Sequence, residues 1–368
     1  MILWMIQALR AAGLDVGVFR LAESVTFRAL MALATALGVA IALGWRVIVF
    51  LYRRRFRDTS GEFLSIRTHS KQGTPTGGGL LILAACAGSA LLWGRLDNLP
   101  LAVLIAGFVY LGLVGLVDDA LKVRFKSSLF GLGQLTKTVL LLGFAVPFAW
   151  LLVSPTSPLP EPWRTAVVLP FVKYPVGDLG TVGFMLFAVV AVFSIVNAVN
   201  ITDGMDGLLC GASTTVTAVY VVLAYVLSNV LLSRYLLFPY FAGTEELVIF
   251  GAALIGAVLG FLWRNTFPAE VFMGDTGSLA IGGAIAMMAF LLRQEMLFPI
   301  VGGLFVLEIF TSLLQEKIGS RLGRRLVLRA PFHHALTHRG IAEPKAVVRL
   351  WIVSLLLAAI GLLSLKIR

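Results

Sequence analysis

Two adjacent carboxylates stand at the end of an apolar segment of this chain. Asp118 and Asp119 close the segment, and Lys122 follows about one helical turn later, so that it can reach the same helix face. Neighbouring carboxylates repel each other near a low-dielectric boundary unless a cation or a metal ion offsets their charge. Taken alone, a solvated helix end with a local ion pair is the better explanation of this motif.

A second motif spaces two asparagines and two aspartates three residues apart. It contains Asn197, Asn200, Asp203 and Asp206, and Gly204 interrupts the pattern. Glycine permits a tight helix-to-loop transition, which would point the amides and carboxylates at one ligand. The loop has no Lys or Arg, so it is a poor membrane anchor, and polar clusters near a membrane usually serve a site. We predict a binding role, with a simple polar turn as the weaker alternative.

A third motif runs from Trp263 to Ser278, contains Asn265, Phe267, Phe272 and Asp275, and stands just ahead of another apolar segment. Pro268 ends a helix, and the glycine before Asp275 allows a ligand to approach the backbone closely. Phe272 has the shape to stack on a planar base. An aromatic belt at the membrane interface is the better explanation of each phenylalanine taken singly.

Histidines gather near the C-terminal end of the chain. His333 and His334 are adjacent, and His338 follows, with arginines on both sides. This composition suits polyanion binding or proton transfer. It fits zinc poorly, because no carboxylate accompanies an i, i+4 histidine pair.

A glycine-rich loop precedes the second apolar segment. Lys71 supplies a cation, Thr74 a hydroxyl, and residues 77–79 are three glycines whose amides are accessible, a composition suited to phosphate. The loop lacks the Walker spacing, so no P-loop is predicted. A flexible linker is an equally good explanation.

The composition identifies the elements that must position these residues. The chain has 368 residues, of which 59% are apolar and 13% are charged, and the mean hydropathy is +0.94. These values exclude an ordinary water-soluble protein. Apolar runs of the length that crosses a bilayer recur along the chain, so we predict an all-α polytopic membrane protein.

Hydropathy and charge together predict the topology. Residues 1–21 are predicted to form a surface helix, and the whole chain, 1–368, a single integral-membrane domain. The arginine-rich segment 53–57 places the first loop in the cytoplasm and both termini outside. The catalytic loops then lie on the cytoplasmic face, at about 52–78, 118–134, 197–207, 264–278 and 316–348. Ten spans are predicted, at about 24–51, 79–96, 100–117, 135–153, 182–199, 208–231, 247–263, 279–292, 296–315 and 349–366.

The remaining features carry less functional information. The net charge of +11 is assigned to topogenic loops and phosphate contacts, so no nucleic acid is expected as a partner. Cys86 and Cys210 lie inside apolar runs and are expected to be packing residues. The loop 154–180 is expected to be irregular or a short hairpin. Glu308, midway along the predicted ninth span, could form a structural interhelical hydrogen bond.

Together, these motifs predict metal-assisted phosphoryl transfer between a soluble nucleotide and a membrane-bound acceptor. Clustered oxygen ligands suit Mg²⁺ or Mn²⁺, which would neutralise a diphosphate under attack. A cation-coupled transporter is the rival class. Its acids should lie near the bilayer midplane, whereas here they stand at span ends.

The chain resembles the phospho-N-acetylmuramoyl-pentapeptide transferases (MraY) of bacterial cell-wall synthesis. The resemblance rests on the motifs at 118–122, 197–207, 265–278 and 331–334, and it covers nearly the whole chain. It implies ten transmembrane helices in the bacterial cytoplasmic (inner) membrane, usually as a homodimer. It also implies transfer of phospho-MurNAc-pentapeptide from its UDP carrier to undecaprenyl phosphate with Mg²⁺, giving lipid I and UMP.

The same resemblance implies roles for individual residues. Asp275 is the principal metal ligand, and Asp118, with Asp119 beside it, orients or deprotonates the lipid phosphate. His333 and His334 act beside the diphosphate. The residues implied in substrate binding are Lys71, Thr74, Lys122, Lys137, Asn197, Asn200, Asp203, Gly204, Asp206, Asn265 and Phe272.

One departure from the family pattern concerns the histidines. The family commonly has three in a row, whereas Ala335 occupies the third position here. A sister enzyme that moves GlcNAc-1-phosphate onto a polyprenyl phosphate is the main alternative, since it shares the acidic motifs. The Pro-Phe-His-His segment at 331–334 favours the muramoyl branch.

Overall fold

The computed structural model describes residues 1–13, 17–54, 56, 73–125 and 131–367. In this part of the chain the secondary structure is helical apart from one two-stranded hairpin. The helices are α1 (Ile2–Ala11), α2 (Val18–Glu23), α3 (Val25–Arg53), α4 (Gly79–Trp93), α5 (Leu99–Arg124), α6 (Gln134–Val153), α7 (Gly180–Thr202), α8 (Leu208–Ser228), α9 (Val230–Tyr235), α10 (Glu245–Asn265), α11 (Gly274–Leu291), α12 (Phe298–Val301), α13 (Gly303–Leu313), α14 (Phe332–His338) and α15 (Glu343–Leu363).

Within the described ranges, eight helices are long and apolar enough to cross a membrane: α3, α5, α6, α7, α8, α10, α11 and α15. A ninth span results if the bent pair Glu295–Val301 and Gly303–Gly319 counts as one, although its two parts are inclined by 81°. The apolar α4 has 15 residues, fewer than a straight crossing requires. The prediction of an all-helical chain with several membrane-capable helices is confirmed, and the count of ten stays a prediction.

The centre of the bundle is α11. Its residues are buried without interruption from Thr276 to Leu291, and it packs against α5 and α7. Small residues on α11 let its neighbours approach closely, as is common between membrane helices. The first turn of α11 is therefore surrounded by the ends of other helices.

A backbone connection ties the loop before α4 to the loop before α11. The Phe272 N–H donates to the carbonyl of Pro75 at 2.8 Å, and Gly78 and Gly79 donate to Phe272 and Met273, both at 2.9 Å. A Cβ atom on Gly79 would lie 2.1 Å from the Gly277 nitrogen. Position 79 thus requires glycine, because α4 and α11 touch there through their backbones.

The N-terminal region contains two helices, α1 and α2, where the sequence predicts one surface helix. Residues 14–16 between them lie outside the described ranges. On α1, Leu3 and Ile6 are buried, and the Met1 amino group donates to the Leu91 carbonyl on α4 at 3.1 Å. The N-terminal helix is thereby docked on the bundle.

The loop between α6 and α7 contains a short antiparallel hairpin, which confirms the expected irregular or hairpin connection. Its strands are β1 (Ala166–Val167) and β2 (Gly177–Asp178), with Ala166 opposite Asp178. Arg293, at the far end of α11, donates to the Ala166 carbonyl and lies 4.3 Å from the centre of the Phe184 ring. The hairpin is therefore fastened to α11. Cys86 and Cys210 are both buried and unpaired, as expected of packing residues.

A buried ion-pair cluster lies at the end of the bundle where α4 ends and α10 begins. Arg28 donates two hydrogen bonds to the Glu246 carboxylate, at 2.8 and 3.0 Å, and a third to the Trp93 carbonyl at 3.2 Å. The Arg95 backbone N–H donates to the same carboxylate at 2.9 Å. We call Arg28, Arg95 and Glu246 the arginine–glutamate cluster; no role is predicted for it from the sequence.

Candidate active site

The polar motifs converge at the end of the bundle opposite the arginine–glutamate cluster. The last turns of α5 and α7 meet the first turns of α6 and α11 there. On α5, a Cβ atom at Gly115 would lie 2.1 Å from the Asp275 carbonyl oxygen, so the backbones of α5 and α11 are in contact. This approach brings Asp118 and Asp119, which follow on α5, to the N-terminus of α11.

Asp275 is the most highly connected of the predicted residues. Its Oδ2 atom lies 2.6 Å from the Nζ atom of Lys137 and 3.0 Å from that of Lys122. Its Oδ1 atom accepts a hydrogen bond from the Asn200 side chain at 2.8 Å. The structure therefore brings together residues from α5, α6, α7 and α11 that are far apart in the sequence.

Asp118 faces the same lysines. Its Oδ2 atom lies 2.6 Å from Lys122 Nζ and 4.0 Å from Lys137 Nζ. The Leu132 backbone N–H donates to its Oδ1 atom at 2.6 Å. Asp118 is thus held between a helix and the loop before α6, with its charge shared between two cations.

Asp119 has different surroundings from its neighbour. Its carboxylate accepts hydrogen bonds from the backbone N–H groups of Asp275 and Thr276, both at 3.0 Å. It also accepts the Thr276 hydroxyl at 2.6 Å. A carboxylate on the first N–H groups of a helix satisfies its unpaired donors and complements its dipole. The geometry makes Asp119 the anchor of α11, and its predicted catalytic role stays a prediction.

The three aspartates form a cluster that fits a hard divalent cation. Asp118, Asp119 and Asp275 can each offer an oxygen atom, and these atoms lie within 4.8 Å of one another. Carboxylate oxygens are the ligands that Mg²⁺ and Mn²⁺ prefer. Three negative charges face two lysines here, which leaves a net negative charge for a cation. We call these three residues the acidic centre.

The asparagines of α7 point in two directions. The Asn200 amide reaches α11, where it donates to Asp275 and, at 2.8 Å, to the Ser278 hydroxyl. Asn197 donates to the Phe193 carbonyl of its own helix at 2.8 Å. Only Asn200 of the two therefore contacts the acidic centre.

The loop between α7 and α8 borders the acidic centre. Burial, together with the negative charges of Asp275, Asp119 and Asp206, raises the pKa of Asp203 to about 8, against the effect of a hydrogen bond from the backbone of Gly274. The Asp206 carboxylate accepts the Ala269 N–H at 3.1 Å. The loop is thus joined to the segment before α11 by its own carboxylates.

Asn265 lies buried between two loops. Its amide donates to the Val271 carbonyl at 2.8 Å, and its carbonyl oxygen accepts the Gly207 N–H at 3.0 Å. These contacts hold the 203–207 loop against the segment that carries Phe272, whose own side chain is half-buried. Geometry alone gives Asn265 a positioning role, and contact with substrate stays a prediction for both residues.

The histidines complete one side of the site. His333 is buried, and its ring centre lies 4.3 Å from that of the half-buried His334. A Cβ atom on Gly204 would lie 2.2 Å from the His333 Nε2 atom. His333 therefore adjoins the 203–206 loop, and His334 lies beside His333. Thr74 is half-buried beside Pro75, and Lys71 lies outside the described residues.

Some residues of the site are not predicted from the sequence. Thr276 and Ser278 bind Asp119 and Asn200 respectively, and both stand in the same motif as Asp275. Their proximity in sequence to Asp275 is the signal that could have identified them. The Leu132 N–H has no such signal, because a backbone donor is not visible in residue types.

Comparison with known proteins agrees with this geometry. Residues 101–293 match the sequence model of glycosyl transferase family 4. Over 355 residues the chain is 41% identical to the phospho-N-acetylmuramoyl-pentapeptide-transferases of Nitratidesulfovibrio vulgaris strains DP4 and Hildenborough, an alignment that covers 96% of this chain and 97% of each relative. The resemblance seen in the motifs is confirmed, and the chain belongs to the phospho-N-acetylmuramoyl-pentapeptide transferase family.

Proposed function

We propose that this chain transfers phospho-MurNAc-pentapeptide from UDP-MurNAc-pentapeptide to undecaprenyl phosphate, forming lipid I and UMP in peptidoglycan biosynthesis. The observation that carries the proposal is the convergence of Asp118 and Asp275 on Lys122 and Lys137, in a chain of this family. In the reaction, a bond forms between an oxygen of the lipid phosphate and the sugar-bearing phosphorus, and the bond from that phosphorus to the UMP oxygen breaks.

The basic side chains would hold the phosphates. Lys122 and Lys137 are partly exposed beside the acidic centre, at 33% and 20% of their side chains, so an anion can reach them. Asp118, buried and fixed by the Leu132 N–H, would orient the incoming lipid phosphate or accept its proton. Lys71 and Thr74 are proposed as further phosphate contacts, on sequence grounds alone.

The acidic centre would hold Mg²⁺, with Mn²⁺ as an alternative, and Asp275 would be its principal ligand. Such an ion supplies charge neutralisation at the diphosphate when it is bound. The donor set supports this assignment, because the three carboxylates outnumber the two lysines. Asp119 would contribute by holding Asp275 at the start of α11.

The loops beside the acidic centre would bind the nucleotide sugar. The proposed contacts come from α7, from the 203–206 loop and from the segment before α11, while His333 and His334 would lie beside the diphosphate. Hydrogen bonds between these loops support a preorganised pocket. The proposed contacts are Asn197, Asn200, Asp203, Gly204, Asp206, Asn265 and Phe272.

The proposed setting is the bacterial cytoplasmic (inner) membrane. Ten spans, both termini outside and the site on the cytoplasmic face would follow from the placement of the basic loops. A single membrane domain and a homodimer complete the proposal. Labelling of single cysteines at Tyr174, which is 68% exposed, and at Arg321 by an impermeant reagent in intact cells would test the orientation, since only the first is expected to react.

The activity is tested with purified protein, undecaprenyl phosphate and Mg²⁺. We expect release of UMP from UDP-MurNAc-pentapeptide and little or none from UDP-GlcNAc. The opposite preference would assign the chain to the GlcNAc-1-phosphate branch. Uptake of a substrate into vesicles without any UMP release would indicate a transporter instead.

A further inference from the structure

Glu308 and His333 form a buried acid–imidazole pair that the proposed chemistry does not yet use. Glu308 lies on α13 and is 0% exposed, and His333 lies in the first turn of α14 and is 1% exposed. A carboxylate this deep in an apolar bundle is costly unless it has partners. Its partners therefore indicate what it does.

Both parts of His333 contact the Glu308 carboxylate. The backbone N–H donates to Oε1 at 3.1 Å and to Oε2 at 3.3 Å. The Nδ1 atom of the ring lies 3.1 Å from Oε2. One carboxylate thus holds the start of α14 through the backbone N–H and places a negative charge beside Nδ1, without a hydrogen bond to the ring.

The opposite ring atom packs against the loop between α7 and α8. Neither ring nitrogen makes a hydrogen bond among the described residues, but Nδ1 faces the Glu308 carboxylate, whereas Nε2 has no charged group beside it and is the atom nearest to a Cβ on Gly204, at 2.2 Å. Gly204 follows Asp203, whose carboxylate accepts a hydrogen bond from the backbone of Gly274, the neighbour of Asp275. A buried polar atom without a protein partner is an available site for a ligand group.

We propose that Glu308 is a positioning residue that keeps the His333 ring proton on Nδ1 and presents Nε2 to the diphosphate of the nucleotide sugar. A carboxylate beside one imidazole nitrogen selects the tautomer and so determines what the other nitrogen offers. A side chain larger than glycine at position 204 would occupy the place of Nε2. The inference rests on the proposed function, because it gives His333 a substrate to meet.

The decisive variant is Glu308→Gln, which keeps an acceptor oxygen for the His333 N–H but removes the charge beside Nδ1. We expect kcat for UMP release to fall by about 10²-fold, the lower range for loss of acid–base assistance, with KM for the UDP sugar nearly unchanged. Glu316→Gln is the matched control, since Glu316 is exposed and pairs with Lys317, and it should behave as wild type. Full activity in Glu308→Gln would overturn the proposal.

A double-mutant comparison separates positioning from a structural role. If Glu308 acts through the His333 ring, Glu308→Gln should cost little further kcat in a His333→Asn background. Equal losses in both backgrounds would contradict the proposal. If Glu308→Gln does not fold, Glu308→Asp keeps the charge and should give the same non-additive result with intermediate activity.

A spectroscopic measurement tests the tautomer without activity. With ¹⁵N-histidine labelling, the His333 signal is identified by its loss in His333→Asn. We expect a protonated Nδ1 in the wild type and a shift of the proton toward Nε2 in Glu308→Gln. An unprotonated Nδ1 in the wild type would refute the proposal. Failure of the wild type to release UMP would instead refute the proposed function, whatever the tautomer.

Discussion

Two groups of buried charges lie at opposite ends of the helix bundle, and they are built differently. In the arginine–glutamate cluster, Arg28 and Glu246 are 1% and 0% exposed and share two hydrogen bonds. At the acidic centre, Asp275 is 13% exposed, and the lysines beside it are 20% and 33% exposed. The pair of Arg28 and Glu246 is closed to solvent, although Arg95 beside it is 48% exposed, whereas solvent reaches both lysines of the acidic centre.

The difference distinguishes structural charge from functional charge in an apolar protein. Arg28 also donates to the Trp93 carbonyl, so the pair of Arg28 and Glu246 joins α3, α4 and α10. At the acidic centre the carboxylates outnumber the lysines, and solvent reaches the lysines. Burial alone therefore does not mark a site: the charges of Arg28 and Glu246 match each other, whereas the acidic centre combines solvent access with excess negative charge.

At the acidic centre, the substitution with the largest expected effect is Asp275→Asn. Loss of the carboxylate removes the proposed metal ligand and the partner of Lys137, so we expect UMP release to fall by about 10³-fold, equivalent to several kcal/mol of barrier. The partly exposed lysines can be solvated, so the protein should stay folded. Mg²⁺ should raise the Tm of the wild type and not that of the variant. Retained turnover would disprove the site assignment.

Breaking the arginine–glutamate cluster should lower the stability of the protein and leave catalysis intact. Arg28→Met leaves Glu246 buried without its main partner, and we expect a loss of about 3 kcal/mol in the free energy of unfolding. The kcat of the folded fraction should match that of the wild type. In the double variant Arg28→Met with Glu246→Met, much of the stability should return. A double variant no more stable than Arg28→Met would contradict this account.

The backbone contact between α4 and α11 is tested by substituting two glycines of α4. Gly79→Ala forces α4 away from Gly277 and displaces the start of α11, and a displacement near 1 Å can cost about 10²-fold in rate. Gly88→Ala is the matched control, because a Cβ atom there meets open space. Equal activities of the two variants, measured by UMP release, would show that the contact does not position the site.

The smallest expected effect concerns Asp203 and pH. Because its pKa is raised to about 8 in the folded protein, its stabilising contribution is complete below about pH 4 and is lost as the pH rises to about 8. Asp203→Asn stays neutral. In EDTA, the Tm of the wild type should therefore fall relative to that of the variant across this window. Parallel Tm curves would show that the pKa is not raised.

The local part of the site follows from the sequence. Asp118 and Lys122 are four residues apart on one helix, and helical spacing is enough to predict their ion pair. The membrane-capable helices follow from their hydropathy in the same way. Such features depend on neighbours along the chain, so residue types and spacing reveal them.

The contacts between distant segments do not follow from the sequence by physical reasoning alone. Nothing in the residue types shows that the Asp119 carboxylate accepts hydrogen bonds from the first N–H groups of α11. The same is true of Asn265, whose side chain donates to the Val271 carbonyl and accepts from the Gly207 N–H. Arg28 and Glu246, which bond to each other, are 218 residues apart in the sequence. Packing of the helices decides these pairings, and packing depends on shapes that periodicity does not encode.

The ion pair within α5 has a consequence for biosynthesis. Because the chain is synthesised from its N-terminus, α5 is made before α11, so Asp118 and Asp119 exist for a time without Asp275 and Thr276. Lys122 neutralises Asp118 from the start, because both belong to one helix. Asp119 receives its hydrogen bonds only when α11 arrives. A chain that ends before α11 therefore lacks every one of the hydrogen bonds from Asp275 and Thr276 that hold Asp119 in the folded protein.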